Sequence, residues 1–495
     1  MARKAKVMDI PSIGLLDRTQ GNLVRQLTQT LRNAVQRGDL QPGELLPSSR
    51  SLARSLGIAR GTVIDAFEQL QAEGVLETKP ASGTCVSSSL THQTTTAPQQ
   101  VVTDAGQTLA PTARAAAFAK LYDQFLPLPA VPFAVSVPQG LALPDESWRK
   151  LGNRIRARGP GSPSGYDDPR GAQVLREAIA EYVRRSRSVR CEPQQVIITS
   201  GIQQALYLCC QLLLENGDRV WVEDPAYRGI TAILENAANA ATMVRVPVDA
   251  EGIQVDVGIA QAANARAAFV TPSHQYPLGM PMSMARRNAL LAWAKSEHAW
   301  IVEDDYDSEL RYAGHPFPSL QGLDPSRVIY LGTFSKILFP SLRLGYAIVP
   351  PGLERAFCGA RILMDRHPPS ADQHVLAAFI QEGHLERHIR RIRSVYAERR
   401  AQLVTLLEHH IPASLGWLQP SDQGMHLVLW LARHIDDRQL AASALAAGVA
   451  VRPVSSTFTL GRSRPGLILG LGDFDAEATL AAVRTLATLI IAAPG

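Results

Sequence analysis

The stretch VIYLGTFSKILFPSLRLGYAIV (328–349) sets two apolar runs around a polar turn that carries Thr333, Ser335, Lys336 and Arg343. Short runs rich in branched apolar residues read as buried strands. Upstream the same design recurs. AWIVEDDYDSEL (299–310) is an apolar run whose end carries Asp304, Asp305 and Tyr306. AAFVTPSHQYPLG (267–279) ends in a Pro/Gly loop around His274, and VWVEDPAYRG (220–229) ends at Tyr227. VIITSG (196–201) runs into Gly201, after which Ile202 and Gln203 open a helical pattern. Singly these pieces decide nothing: a loop lysine is ordinarily at the surface, and acids past a strand are ordinarily solvated.

Together they are the parts that pyridoxal phosphate needs. The cofactor takes a lysine amine for a Schiff base, a carboxylate to keep its ring nitrogen protonated, an aromatic face and a phosphate cup. A helix that begins just past a strand offers free N–H groups and a favourable dipole to a phosphate. In open α/β sheets, ligands bind at the carboxyl ends of the strands, where all these residues fall.

The N-terminal segment has a different pattern. Leu23, Leu27, Leu31 and Val35 recur every four residues and predict one apolar helical stripe that stops at Gly38. Ser48 or Ser49 caps a short second helix ending at Gly57, and a third helix is predicted from about Arg60, burying Val63, Ala66, Phe67 and Leu70. VLET and TCVS then flank the turn KPASG as a hairpin. Two helices joined by a tight turn and followed by a hairpin form a winged helix-turn-helix, which lays its second helix in the major groove of DNA. Candidate DNA-binding residues are Arg60 and Thr62 at base edges, and Ser48, Ser49, Arg50 and Arg54 on the preceding helix. The wing adds Lys79, Gly83 and Thr84.

LQPGELLPSSRSLARSLGIARGTVIDAFEQLQAEGVLETKPASGTCV (40–86) resembles the GntR-type winged helix. Two residues depart from that family's pattern: Ala59 stands where a serine is usual, and Gly61 where a polar residue is common. The segment from about Val131 resembles the class I aminotransferases of fold type I, with GYDDPRGAQVLREAIAEYV (165–183) and TPSHQYPLGMPMS (271–283) among the matching stretches. The whole chain resembles the MocR/GabR regulators, which fuse these two parts.

The resemblance implies a small winged helix before an α/β fold type I domain with a mixed, mostly parallel sheet. It implies residues 15–86 as the DNA-binding domain, 87–130 as a flexible linker and 131–495 as the cofactor-binding and dimerising domain. Lys336 looks like the Schiff-base lysine and Asp304 like the partner of the ring nitrogen, with Asp305 an open alternative. Tyr306 looks like the contact to the phenolic oxygen, Tyr227 like the stacking residue, and His274 stands in for the usual asparagine. Gly201, Ile202, Gln203, Thr333, Ser335 and Arg343 are expected at the phosphate. One departure bears on function: Ile468 stands where aminotransferases place the arginine that clamps the substrate carboxylate. Arg452, Arg462 and Arg464 are the nearby replacements.

Composition sets limits on this reading. Lys and Arg number 50 against 45 Asp and Glu, and residues 1–86 hold 11 against 8, an excess of 3. DNA affinity therefore rests on placed arginines rather than bulk charge. The basic start has no apolar stretch behind it, no window approaches a membrane span, and the five cysteines show no CxxC spacing, so a cytoplasmic protein with free thiols is expected. The functional expectation is a regulator with pyridoxal 5'-phosphate as cofactor. It binds operator DNA as a homodimer and senses a small amine, an amino acid or the cofactor itself. The rivals are an active aminotransferase with an accessory DNA-binding module, and a dimerisation scaffold without cofactor.

Overall fold

Three amphipathic helices and a hairpin build the N-terminal part of the computed structural model, which describes residues 16–79, 83–89, 110–135, 146–157, 166–236, 241–314, 317–459, 463–472 and 474–493. They are α1 (Leu23–Gln36), α2 (Ser49–Leu56), α3 (Arg60–Ala72), β1 (Leu76–Lys79) and β2 (Gly83–Val86). In α1 the buried residues are Leu27, Thr28, Leu31 and Ala34. A strict four-residue repeat drifts off a 3.6-residue turn, so Leu23 and Val35 lie at the margins of the face rather than in it. Ser48, not Ser49, caps α2, accepting a hydrogen bond from Ser51 N. In α3 the buried face is Val63, Ala66, Phe67 and Leu70, and the cap position Ala59 offers no side-chain hydrogen bond. The hairpin pairs Leu76 with Val86 and Lys79 with Gly83; its tip, residues 80–82, and residue 15 lie outside the described residues.

The chain divides into two units, Met1–Ala110 and Pro111–Gly495. The expected linker over 87–130 is corrected in part, because Ala113–Gln124 forms a helix, α4, that belongs to the second unit. Its alanines favour a helix without needing a core, and Thr112 caps it by accepting from Ala115 N. None of its residues is buried, which is why no apolar periodicity announced it. Residues 90–109 lie outside the described residues.

The second unit is built on strands β3 (Val196–Thr199), β4 (Arg219–Asp224), β5 (Thr242–Asp249), β6 (Gly252–Ile253), β7 (Ala267–Val270), β8 (Trp300–Asp305), β9 (Val328–Thr333) and β10 (Gly345–Ile348). They form one sheet in the order β3-β10-β9-β8-β7-β4-β5-β6. The pairs from β5 through β9 are parallel, while β10 runs antiparallel to β3 and β9, and β6 antiparallel to β5. β3, β7, β9 and β10 are buried throughout, as strands covered on both faces must be. A smaller antiparallel sheet in the order β11-β12-β14-β13 comprises β11 (Gly416–Leu418), β12 (His426–Leu431), β13 (Arg452–Pro453) and β14 (Gly466–Gly470). Among the described residues no helix is long and apolar enough to cross a membrane.

Candidate cofactor site and DNA-facing surface

The carboxyl ends of β4, β7, β8 and β9 open onto a cavity of about 850 Å³. β8 illustrates how the fold sorts its acids. Side chains alternate along a strand, so Glu303 and Asp305 share one side and Asp304 takes the other. Glu303 accepts hydrogen bonds from the backbone of Leu320 and Gln321 at 3.1 and 3.0 Å. Asp305 accepts through Oδ2 from Arg187 Nε at 2.8 Å and from the Tyr330 hydroxyl at 2.6 Å, while its Oδ1 has no partner among the described residues. Asp304 lines the cavity, and its buried Oδ1 has no partner among the described residues. Burial, with Asp305, Asp307 and Glu223 nearby, pushes its carboxyl up to about 8.

Lys336 lines the same cavity from the turn after β9. Burial lowers its ammonium to about 8 against the opposing pull of Asp307 and Asp304, so an amine form is within reach near neutral pH. Tyr227, Tyr276 and Tyr306 are set edge to face, with ring centres 5.8 and 6.2 Å apart. Burial holds the phenols of Tyr227 and Tyr276 above their ordinary value, that of Tyr227 at about 12.

At another wall of the cavity, Ile202 and Gln203 begin a twelve-residue helix whose cap, Gly201, has φ +92° and offers no side chain. A Cβ at Gly201 would stand 3.1 Å from the Arg343 guanidinium, so the glycine lets that cation approach. Arg343 donates to Ser200 O at 2.6 Å. The Ser335 backbone N–H donates to Thr333 Oγ1, while the buried Ser335 Oγ has no partner among the described residues. The buried Oδ1 of Asp304 and Oγ of Ser335, both on residues that line the cavity, are thus left for the polar groups of a ligand; Asp305 Oδ1 is also without a partner among the described residues, but Asp305 does not line the cavity. The residues fit pyridoxal phosphate.

Residues 130–465 match the family Aminotransferase class I and II, and residues 23–86 match Bacterial regulatory proteins, gntR family. The probable rhizopine catabolism regulatory protein MocR of Rhizobium meliloti is 38% identical over 477 residues, covering 94% of either chain. The chain belongs to the MocR-type regulators. The pyridoxine biosynthesis transcriptional regulator PdxR of Corynebacterium glutamicum is 33% identical over 473 residues, covering 95% of this chain and 96% of that one. Among solved structures, Pyrococcus horikoshii kynurenine aminotransferase in complex with PMP is similar at 27% identity and a TM-score of 0.68, covering 76% of this chain and 94% of that one.

In this MocR-type chain one expected cofactor contact is corrected. His274 does not line the cavity; it is buried behind Tyr306, and the loop turns Thr271 and Tyr276 inward instead. Nothing in TPSHQYPLG by itself says which side chain the loop presents. Among the other lining residues that the sequence reading missed are Asp307, Gln124 and Phe125, the last two at the end of α4, and His426 on β12. Gln124 Oε1 also accepts from Arg228 Nη2 at 3.0 Å.

The structure also sorts the arginines near Ile468. Ile468 is fully buried among Val135, Leu278, Val428, Trp430 and Val454. Its register partner on β13 is Arg452, which lines the cavity. Arg464 instead lies over the rings of Trp417 and Trp430, at 4.2 and 5.2 Å. Arg462 lies outside the described residues.

On the winged helix, Ser48, Arg50, Arg54, Arg60, Lys79 and Gly83 are exposed, and Ser49, Thr62 and Thr84 are half-buried. Arg60 Nε donates to Ser49 Oγ at 3.3 Å, which links the start of α3 to the start of α2. Lys79 pairs with Glu77 at 3.2 Å.

Proposed function

We propose that this chain is a DNA-binding transcriptional regulator that holds pyridoxal 5'-phosphate through Lys336 and senses a small amine, an amino acid or the cofactor itself. The observation that carries the reading is one cavity lined by Lys336, the orphaned Asp304 and Tyr227, in a chain that also contains a winged helix. Asp304 would hold a proton at the ring nitrogen, Tyr306 would meet the phenolic oxygen and Tyr227 would cover the ring. Ile202, Gln203, Thr333, Ser335 and Arg343 would grip the phosphate. When bound, the cofactor supplies an aldehyde that condenses with primary amines and a ring that withdraws electrons.

Lys336 would tether the turn between β9 and β10 to the bound cofactor, and an effector amine would act by favouring the untethered state of that turn. DNA affinity then changes by the difference in the effector's affinity for the two states. On DNA, the start of α3 with Arg60 and Thr62 would face base edges, Arg50 and Arg54 would reach phosphates or a guanine edge beside Ser48 and Ser49, and the wing residues Lys79, Gly83 and Thr84 would lie along the backbone. A homodimer would bind two half-sites.

The test joins spectroscopy to DNA binding. The full chain with cofactor is expected to show a visible absorbance band that Lys336→Ala abolishes completely; an unchanged band in that variant overturns the cofactor assignment. A footprint upstream of its own gene, with and without candidate amines, reads operator and effector together. Arg452 in the cavity favours a second reading, an active aminotransferase that clamps a substrate carboxylate there. Turnover above background with amino donors and 2-oxo acids would establish it.

A further inference from the structure

His274 is not a cavity residue, yet it is tightly built in. Its ring lies against Gly424, where a Cβ would come within 1.9 Å of the imidazole, and beside Gly279, where a Cβ would stand 3.2 Å from Nε2. Its Nδ1 lies 2.9 and 3.0 Å from the two carboxylate oxygens of Asp307 and 3.0 Å from the Tyr306 hydroxyl. His274 and Asp307 are both almost wholly buried. A carboxylate can only accept, so this nitrogen must carry a hydrogen and give it to Asp307. The Tyr306 oxygen then meets an N–H and can only accept there. Its own hydrogen has no acceptor on the buried side among the described residues and turns toward the cavity that Tyr306 lines.

We propose that Asp307 and His274 are a positioning pair that fixes the Tyr306 hydroxyl hydrogen on the cavity side, making Tyr306 a hydrogen-bond donor to the phenolic oxygen of bound pyridoxal phosphate. The inference rests on the cofactor reading above. Asp307 also acts on Asp304 and Tyr306 from the end of β8, on Lys336 from the turn after β9, on Tyr312 and on His426 from β12. Tyr276 faces the group from the loop that carries His274. None of these competes for the Nδ1 hydrogen. His426 donates its own Nε2–H to Pro277 O at 2.8 Å, and burial lowers it to about 4, which keeps it neutral. Burial and Asp307 hold the Tyr306 phenol well above its ordinary value, so its proton stays.

A donor at the phenolic oxygen favours the oxygen's anionic form and so makes the adjoining lysine-linked nitrogen easier to deprotonate. The test titrates the visible absorbance of the cofactor-loaded full chain across neutral and alkaline pH. Tyr306→Phe is expected to raise the midpoint by about one to two pH units, the scale of a hydrogen bond to a charged group. His274→Ala should raise it in the same direction, and Asp307→Asn should shift it further upward in the wild-type background than in Tyr306→Phe. Combining His274→Ala with Tyr306→Phe should add nothing to Tyr306→Phe alone, because His274 acts only through that hydroxyl, whereas Asp307→Asn should still lower the midpoint in the Tyr306→Phe background by removing a charge that favours the protonated Lys336 nitrogen. His274→Asn, whose amide places an N–H near the Nδ1 position, should keep the wild-type midpoint, and the two His274 variants preserve the comparison if Asp307→Asn does not fold. A wild-type midpoint in His274→Ala, or shifts from His274→Ala and Asp307→Asn that are the same with and without the Tyr306 hydroxyl, overturns the inference while the cofactor reading stands. Absence of any Lys336-dependent band in the wild-type chain overturns the cofactor reading, and this inference with it.

Discussion

In the winged-helix unit Arg50, Arg54 and Arg60 stand in water, whereas in the larger unit Arg187, Arg287 and Arg361 are buried. The carboxylates divide the same way. Glu73 meets Arg32 at the surface, while Glu223, Glu303, Asp304 and Asp305 are buried around the cavity or beneath it. The difference is the one that the proposed ligands of the two units would require. A phosphate backbone is met by exposed cations whose attraction is screened by salt. A small cofactor needs groups held in a dry environment, where burial moves their proton affinities and each charge requires a fixed partner.

The largest expected effect comes from breaking a buried partner. Arg187→Ala leaves Asp305 with only the Tyr330 hydroxyl, and should destabilise the larger unit by about 3–5 kcal/mol, measured by denaturant unfolding. Arg32→Ala removes a surface pair of similar length, 2.7 against 2.8 Å, and should leave the melting temperature nearly unchanged. Similar losses for the two variants would erase the contrast.

The effect of Arg60→Ala on operator binding should be smaller, about 1–3 kcal/mol, with the visible band intact. Normal operator affinity in this variant would displace α3 from the DNA interface.

The pH dependence should also differ between the units. Asp304 is raised to about 8, and Glu223 and Glu303 to about 7, so between their ordinary values and these the folded state binds more protons than the unfolded chain. Stability of the cofactor-free larger unit should therefore fall as pH rises from about 5 to 8. His426, lowered to about 4, works the other way only up to its ordinary value near 6.5. Above about 8 the lowered Lys336 opposes this fall, because the unfolded chain then holds its extra proton, while the buried thiols of Cys191 and Cys210, raised to about 11 and about 12, prolong it. Unfolding curves at several pH values check this, and Asp304→Asn should flatten the part above neutrality.

The smallest effect should be a gain. Ala59→Ser supplies the hydrogen bond that the N-terminus of α3 lacks, and should stabilise the winged helix by about 1 kcal/mol, read as a higher melting temperature.

How much of this was legible depended on the range of the interactions. The winged helix could be read residue by residue, because Val63, Ala66, Phe67 and Leu70 mark one face of one helix and a missing cap is visible at Ala59. Lys336, Asp304 and Tyr227 were legible as cofactor-type residues because each stands at the end of an apolar run. Three things were not. A four-residue repeat put Leu23 and Val35 on a face they only edge. The helix Ala113–Gln124 buries nothing, so it left no pattern. His274 and Tyr276 lie two residues apart in one irregular loop, where no periodicity assigns direction.

The sequence by itself determined the two-part architecture, the strand ends that carry the site and the identities of the residues there, because apolar periodicity and local turn chemistry are written along the chain. Only the tertiary structure decided which neighbours face the cavity. It separated Asp304 from Asp305 and Arg452 from Arg464, and placed Tyr276 at the cavity wall with His274 behind Tyr306. Arg187 and Tyr330 hold Asp305 away from the cavity, Asp307 holds His274, and the rings of Trp417 and Trp430 hold Arg464, and these partners come from segments distant in sequence.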